Sequence, residues 1–235
     1  MRVTQHGDKL LMLTRYPVIF PMNCYLVRED DGLTLVDSTM SSPAADVAEQ
    51  ASRLGLVVRR VALTHAHADH VGGVAGVRER FPDVEVSIGV RDVRLLEGDR
   101  SPAPGEPPIP AKGMLTKVTW KPDRLLEEGD RIGSLQVVAS PGHTPGHIAF
   151  LDTRDRTLIA GDAFQTRGGI AVSGVIRPLF PWPAFATWDK PSALASAETL
   201  RTLNPKRLAV GHGEVLEDPG PAMDRAVAAA RRAFA

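Results

Sequence analysis

The sequence is poor in cysteine, in aromatic residues and in long apolar runs, and each scarcity excludes a class of protein. Its 235 residues contain one cysteine, Cys24, so no intrachain disulfide can form. Cys24 follows an apolar segment, and we expect it to be an inert buried thiol in a strand. No apolar stretch reaches the ~20 residues that a membrane span needs, and the N-terminus does not resemble a signal peptide. A soluble cytoplasmic protein is therefore expected.

An excess of charge of either sign is also missing. Lys and Arg together number 28, and Asp and Glu together also number 28. This balance creates no overall field that would attract nucleic acid or an anionic membrane, so neither is an expected partner. Hydrophobic residues make up 43% of the chain, which is enough for one large domain spanning residues 1–235.

Apolar runs and periodic segments predict the order of strands and helices along the chain. Strands are predicted at Lys9–Leu13, Val18–Val27, Leu33–Val36, Arg60–Leu63, Val84–Ile88, near Lys117, Leu135–Ala139, Ile148–Asp152, Thr157–Ala160 and Arg207–Val210. Helices are predicted at Asp46–Leu54, Val71–Arg80, Arg91–Leu96, Lys190–Leu203 and Pro221–Phe234. This order predicts an α/β fold in which two sheets pack together with helices outside.

Seven residues able to bind metal occur at the ends of predicted strands. They are His65, His67, Asp69, His70, His143, Asp162 and His212. His65 and His67 project to the same side, because they are two residues apart in an extended segment. Imidazole and carboxylate groups are the usual ligands of zinc and similar cations. Because seven ligands exceed what one tetrahedral ion uses, they predict two ions that share a carboxylate in a catalytic site.

The ordered series resembles the signature of the metallo-β-lactamase superfamily, which is HxHxDH followed by His, Asp and His. The match runs from Asp37 to His212. The resemblance implies a four-layer αβ/βα sandwich and two Zn²⁺ ions per chain, with iron or manganese as alternatives. It also implies that a hydroxide between the ions attacks the substrate. By the same resemblance the first metal is held by His65, His67 and His143, the second by Asp69, His70 and His212, and Asp162 bridges the two.

Asp162 narrows the expected activity within that superfamily. The related β-lactamases have Cys or Ser at the matching position, whereas aspartate is similar to glyoxalase II enzymes, lactonases and RNA-processing nucleases. Only 23 residues follow His212, which is less than the helical domain with which full-length glyoxalase II helps to hold glutathione. Neither Tyr16 nor Tyr25 matches the tyrosine that acyl-homoserine lactonases use. We expect a dinuclear zinc hydrolase of a small ester, thioester or lactone, with Asp69 and Asp162 as its catalytic carboxylates.

Two other hypotheses stay open at this point. Persulfide dioxygenases resemble the same pattern but hold one iron with two histidines and one aspartate, which by position are His65, His143 and Asp162. Ligand types alone do not fix the metal, so the sequence does not separate this oxidative chemistry from hydrolysis. A module that binds metal without catalysis is the other hypothesis.

Residues around the ligands also have candidate roles. Asp37 either supports the ligands by hydrogen bonding, as the resemblance implies, or is an ordinary turn carboxylate. His147 either orients a ligand, meets the substrate or has no special role.

The segment Arg167–Trp188 is rich in apolar residues and is either a substrate wall or a packing or homodimer contact. Its candidate substrate residues are Phe180 and Trp182, with Arg167 and Arg177 for an anionic group. The loop Ser101–Gly113, which contains five prolines, is either a second wall or a connector.

Overall fold

The computed structural model describes residues 1–235, and the first half of the chain forms a seven-stranded sheet. The strands lie side by side in chain order as β1 (Arg2–His6), β2 (Leu10–Arg15), β3 (Met22–Glu29), β4 (Gly32–Val36), β5 (Val58–Leu63), β6 (Glu85–Gly89) and β7 (Arg124–Leu126). The first four strands pair antiparallel, and β4 to β7 pair parallel. Parallel strands place their carboxyl ends at one edge, where the loops after β5 and β6 meet.

The second half of the chain forms another sheet. Its strands and a two-stranded hairpin follow as β8 (Arg131–Ile132), β9 (Leu135–Ala139), β10 (Ile148–Asp152), β11 (Thr157–Ile159), β12 (Phe164–Gln165), β13 (Ala171–Val172), β14 (Arg207–Ala209) and β15 (Leu216–Glu217). The order across this sheet is β15-β14-β11-β10-β9-β8, and β12 pairs with β13 alone. Because β11 and β14 are parallel, their carboxyl ends also lie at one edge.

Seven helices accompany the two sheets, and the longer ones pack on the outer faces. The seven are α1 (Ala44–Leu54), α2 (Ala68–Val71), α3 (Val74–Arg80), α4 (Val93–Leu96), α5 (Trp182–Ala186), α6 (Lys190–Thr202) and α7 (Gly220–Phe234). None of them combines the length and the apolar character that crossing a bilayer requires.

Three apolar clusters hold the layers together. Alternate residues of β2 point to opposite faces, so Leu10 and Met12 pack between the two sheets while Leu11 and Leu13 face the helices. The cluster between the sheets also contains Phe150 of β10. A third cluster joins the second sheet to α6 and α7. The result is the αβ/βα sandwich that the sequence predicted.

Three local predictions differ from the structure. The predicted strand Val18–Val27 begins only at Met22, because residues 16–20 form a turn that Tyr16 enters at φ 49°. No strand forms near Lys117, and the edge strand lies at Arg124–Leu126 instead. The predicted helix Val71–Arg80 is divided into α2 and α3 at Gly72-Gly73, where a Cβ on Gly73 would lie 2.2 Å from the Ser38 carbonyl oxygen.

Candidate metal centre

All seven predicted ligands meet at one edge of the sandwich, and four strand ends deliver them. His65 and His67 follow β5, and the first turn of α2 carries Asp69 and His70. The loops after β9, β11 and β14 supply His143, Asp162 and His212, respectively. Loops on a rigid scaffold are the usual place for functional side chains, and here the sheet edges fix where each loop begins.

The first group of ligands consists of His65, His67 and His143. The Nδ1 atom of His67 lies 3.1 Å from Nε2 of His65 and 3.0 Å from Nε2 of His143. All three rings are buried and could bind one ion together. Two nitrogens on a tetrahedral zinc ion are about 3.3 Å apart at ordinary Zn–N lengths, so the spacing suits such an ion.

The second group consists of Asp69, His70 and His212, and Asp162 lies between the two groups. Nε2 of His212 is 3.3 Å from Asp69 Oδ2 and 3.2 Å from Asp162 Oδ2. The same Oδ2 atom of Asp162 is 3.4 Å from Nε2 of His143 in the first group. Asp162 is therefore a carboxylate in contact with both groups, as a shared ligand would be.

Each ligand histidine has a partner for the ring nitrogen that faces away from the site. His67 donates from Nε2 to the Lys112 carbonyl at 2.9 Å, and His212 donates from Nδ1 to the Pro21 carbonyl at 2.7 Å. The Nδ1 atoms of the other three rings contact hydroxyl or carboxylate groups, namely Thr64 Oγ1 for His65, Asp37 Oδ2 for His70 and Ser173 Oγ for His143. Such outer partners fix which nitrogen is free for a metal.

The charge distribution of the site favours a bound cation. Burial lowers the pKa of His65 and of His143 well below the usual value, so both rings are neutral, as ligands must be. Burial also favours a lower pKa at His212. The neighbouring carboxylates Asp162 and Asp69 have the larger effect, and they raise the pKa of His212 to about 10. Burial also opposes ionisation of Asp69, yet His70 and His212 lower its pKa. The ionised carboxylates of this pocket are thus stabilised by positive charge beside them.

Two buried atoms give an independent test of whether these residues fit a metal. Nε2 of His70 and Oδ1 of Asp162 have no hydrogen-bond partner, and they face each other at 3.5 Å. Buried polar atoms are rarely left without partners. A cation ligated by both atoms would satisfy them, so the donor set fits a metal site.

Asp37 and His147 both act on the ligands through hydrogen bonds. Asp37 is buried beside His70, accepts from the Thr64 backbone N–H at 2.8 Å and stands at φ 60°. The Nε2 atom of His147 accepts from the Asp162 backbone N–H at 3.1 Å, and its Nδ1 atom contacts Ser140 Oγ. Burial lowers the pKa of His147 to about 3, which keeps the ring neutral and able to accept that bond.

Asp92 is a positioning residue that the sequence did not reveal. It is buried after β6, where one carboxylate oxygen accepts from the Ala66 N–H and the Thr144 hydroxyl, and the other accepts from the Gly146 N–H. These groups belong to the two segments that carry His65, His67 and His143. No metal-ligand spacing surrounds Asp92 in the sequence, so only the fold shows this connection.

The ligands open into a cavity of about 360 Å³ whose outer walls are apolar. The walls beyond the ligands are formed by Phe20, Gly113, Met114, Trp182, Pro183, Phe185 and Ala186. Phe180 is buried behind this surface, with its ring centroid 5.2 Å from that of His212. Arg167 and Arg177 do not line the cavity, since their guanidinium groups donate to the carbonyls of Val18 and Ile170.

Comparison with known proteins agrees with this geometry. The model of the metallo-beta-lactamase superfamily matches residues 19–212. The uncharacterized protein YobT of Bacillus subtilis (strain 168) is 47% identical over 99% of this chain and 100% of its own length. The hydroxyacylglutathione hydrolase of Xanthomonas axonopodis pv. citri (strain 306) is 36% identical over 61% of this chain. The matched region spans 46% of that enzyme, so the two proteins share less than half of its length.

A solved structure shows the same fold with metal bound. TTHA1623 in a di-iron-bound form superposes with a TM-score of 0.65 and 31% identity. The superposition covers 90% of this chain and 96% of TTHA1623. A chain similar to this one along nearly its whole length therefore holds two metal ions.

Proposed function

The chain belongs to the metallo-beta-lactamase superfamily and is a metal-dependent hydrolase, and from that premise we propose that it uses two zinc ions to cleave an ester, thioester or lactone of a small molecule. The observation that carries the proposal is the position of Asp162. Its Oδ2 atom lies 3.4 Å from His143 in one group of ligands and 3.2 Å from His212 in the other. One carboxylate shared by two complete groups is the arrangement that a pair of ions requires.

The type of residue at position 162 supports carbonyl substrates other than β-lactams. An aspartate occupies the position at which the related β-lactamases have Cys or Ser. The similarity to a hydroxyacylglutathione hydrolase is in keeping with this choice. Hydrolysis of an ester, a thioester or a lactone follows the same course. A water oxygen attacks the carbonyl carbon, and an oxygen or a sulfur leaves it. The proposed site is suited to all three substrate types.

The residues of the site have separate proposed roles in metal binding and in proton transfer. Two bound cations would supply Lewis acidity toward the substrate carbonyl and would acidify the attacking water. His65, His67 and His143 would hold one ion, Asp69, His70 and His212 the other, and Asp162 both. Asp69 lines the cavity and its side chain is 13% exposed, against 4% for Asp162. It is therefore the carboxylate placed to take a proton from the attacking water and return it to the leaving atom.

A panel of substrates tests this proposal. We expect p-nitrophenyl esters, thioesters and lactones to be turned over well above any β-lactam, and we expect a chelator to abolish that turnover. Replacing the chelated metal with zinc should restore it. Faster turnover of a cephalosporin than of every ester and lactone would overturn the proposal. Turnover of a persulfide by protein that contains one iron, without ester cleavage, would favour the oxidative hypothesis instead.

A further inference from the structure

Two separate segments bring large apolar side chains to the mouth of the metal cavity. Met114 follows the proline-rich loop, and Trp182 and Phe185 lie on α5. These three side chains are 54%, 56% and 60% exposed, respectively, although each is large and apolar. Exposed apolar side chains are unremarkable singly, but grouped around a cavity they mark a binding surface.

The walls of this cavity carry no positive charge. Beyond the metal ligands, the residues that line it are all uncharged. Arg167 and Arg177, the candidates for holding an anion, are each turned away to a backbone carbonyl. Arg100, beside the lining residue Gly113, likewise donates to the carbonyls of Ala111 and Gly113. A substrate group that leaves the metal ligands and follows these walls would find apolar contacts and no cation to neutralise a carboxylate.

Hydrogen bonds attach both walls to the segments that carry the ligands. The Met114 carbonyl accepts from the Ala68 N–H at 2.8 Å, next to His67 and Asp69. On the other side, the Trp188 N–H donates to the His143 carbonyl at 3.0 Å, and the Trp188 indole donates to the Ile109 carbonyl at 3.0 Å. Trp188 thus joins the segment after α5 to both the His143 loop and the proline-rich loop. The walls are consequently fixed relative to the reacting centre, so a group bound between them also positions the scissile carbonyl.

We propose that the substrate is an uncharged ester, thioester or lactone with an apolar chain beside the scissile bond, and that Met114, Trp182 and Phe185 select this chain. This inference rests on the proposed hydrolytic function and adds a substrate class to it. Each methylene buried between the walls should raise kcat/KM about four-fold, as expected from the transfer free energy of one methylene group. The rise should continue until the chain is longer than the cavity.

Two series of substrates measure this selection with zinc-loaded protein. One is a set of p-nitrophenyl esters with acyl chains of two to eight carbons, and the other is a set of alkyl thioacetates with alkyl chains of the same lengths. We expect kcat/KM to rise with length in at least one series. We also expect p-nitrophenyl hexanoate to be cleaved at least ten-fold faster than mono-p-nitrophenyl adipate, which has a similar length but ends in a carboxylate.

Variants identify the side chains responsible. M114A and the double variant W182A/F185A should flatten the dependence on chain length, while their metal content stays at the level of the unsubstituted protein. L179A is the matched control, because Leu179 is apolar and 83% exposed in the same segment but does not line the cavity. It should retain the full dependence on length.

The possible failures are distinguishable. If zinc-loaded protein cleaves no member of either series, the proposed function fails and the inference fails with it. If short esters are cleaved but neither series shows a dependence on length, or if the adipate is preferred to the hexanoate, the hydrolase stands and the apolar substrate class is overturned. A dependence on length that survives in both M114A and W182A/F185A, or that is lost in L179A, would overturn the assignment of these three residues.

Discussion

At the scale of single residues, the site is organised by the atoms behind the ligands as much as by the ligands. Four histidines direct Nε2 inward, whereas His67 directs Nδ1 inward because its Nε2 donates to the Lys112 carbonyl. Gly113 permits this approach, since a Cβ there would lie 2.0 Å from His67 Nε2. The proline-rich loop therefore determines which ring nitrogen of His67 faces the site, so it does more than connect two elements.

Asp37 offers a test at this scale. Its carboxylate orients His70 and holds the backbone at Thr64, so Asp37→Ala should weaken metal binding at the Asp69, His70 and His212 group by about 10–100-fold. Competition with a chromophoric chelator measures this affinity. Asp152→Ala is the matched control, because Asp152 is also buried but pairs with Arg154 at the far end of β10. Equal metal affinities in the two variants would show that Asp37 has no such role.

The residues that meet at the candidate site could be predicted from the sequence, but their geometry could not. Residue types, their order and neighbouring glycines pointed to all seven residues that the structure brings together. Neither the inward-facing nitrogen of His67 nor the contact of Asp162 with both groups follows from spacing, because each depends on residues distant in the chain. The role of Asp92 could not be predicted for the same reason, since its hydrogen-bond partners lie 26 to 54 positions away in the chain.

At the scale of elements, the carboxyl ends of strands determine where ligands lie. The loops after β5 and β9 come from different sheets, and Asp92 after β6 connects them through Ala66, Thr144 and Gly146. A Cβ on Gly146 would lie 2.6 Å from Asp92 Oδ1, so the close approach requires glycine there. One buried carboxylate thus fixes the spacing of the three-histidine group across two sheets.

Asp92→Asn tests this connection. The amide would place N–H groups against at least one of the backbone donors that now face a carboxylate oxygen. We expect a loss of about 1–3 kcal/mol in the free energy of unfolding of the metal-free protein. The affinity of the three-histidine group for cobalt should also fall, and the visible absorption of bound cobalt should change. A variant that is less stable but has unchanged cobalt spectra and affinity would show a structural role alone.

At the scale of the whole molecule, periodic segments were predicted well and irregular ones were not. The helix predicted at Lys190–Leu203 forms at Lys190–Thr202, and Asp189 caps it by accepting from the Ser192 N–H. By contrast, the short helix α5 lies in a segment with too little periodicity to reveal it, although it supplies one wall of the cavity. Tertiary contacts such as the Trp188 hydrogen bond to Ile109 hold these irregular segments, and no local pattern encodes them.

The metal content of protein purified without added metal, measured by mass spectrometry beside ester hydrolysis, tests the dinuclear mechanism most directly. Because Asp162 touches both groups of ligands, the account predicts two zinc ions per chain, and Asp162→Ala should lower metal content and hydrolysis together. One iron per chain without ester hydrolysis, or an Asp162→Ala variant that keeps full activity with one metal bound, would contradict it.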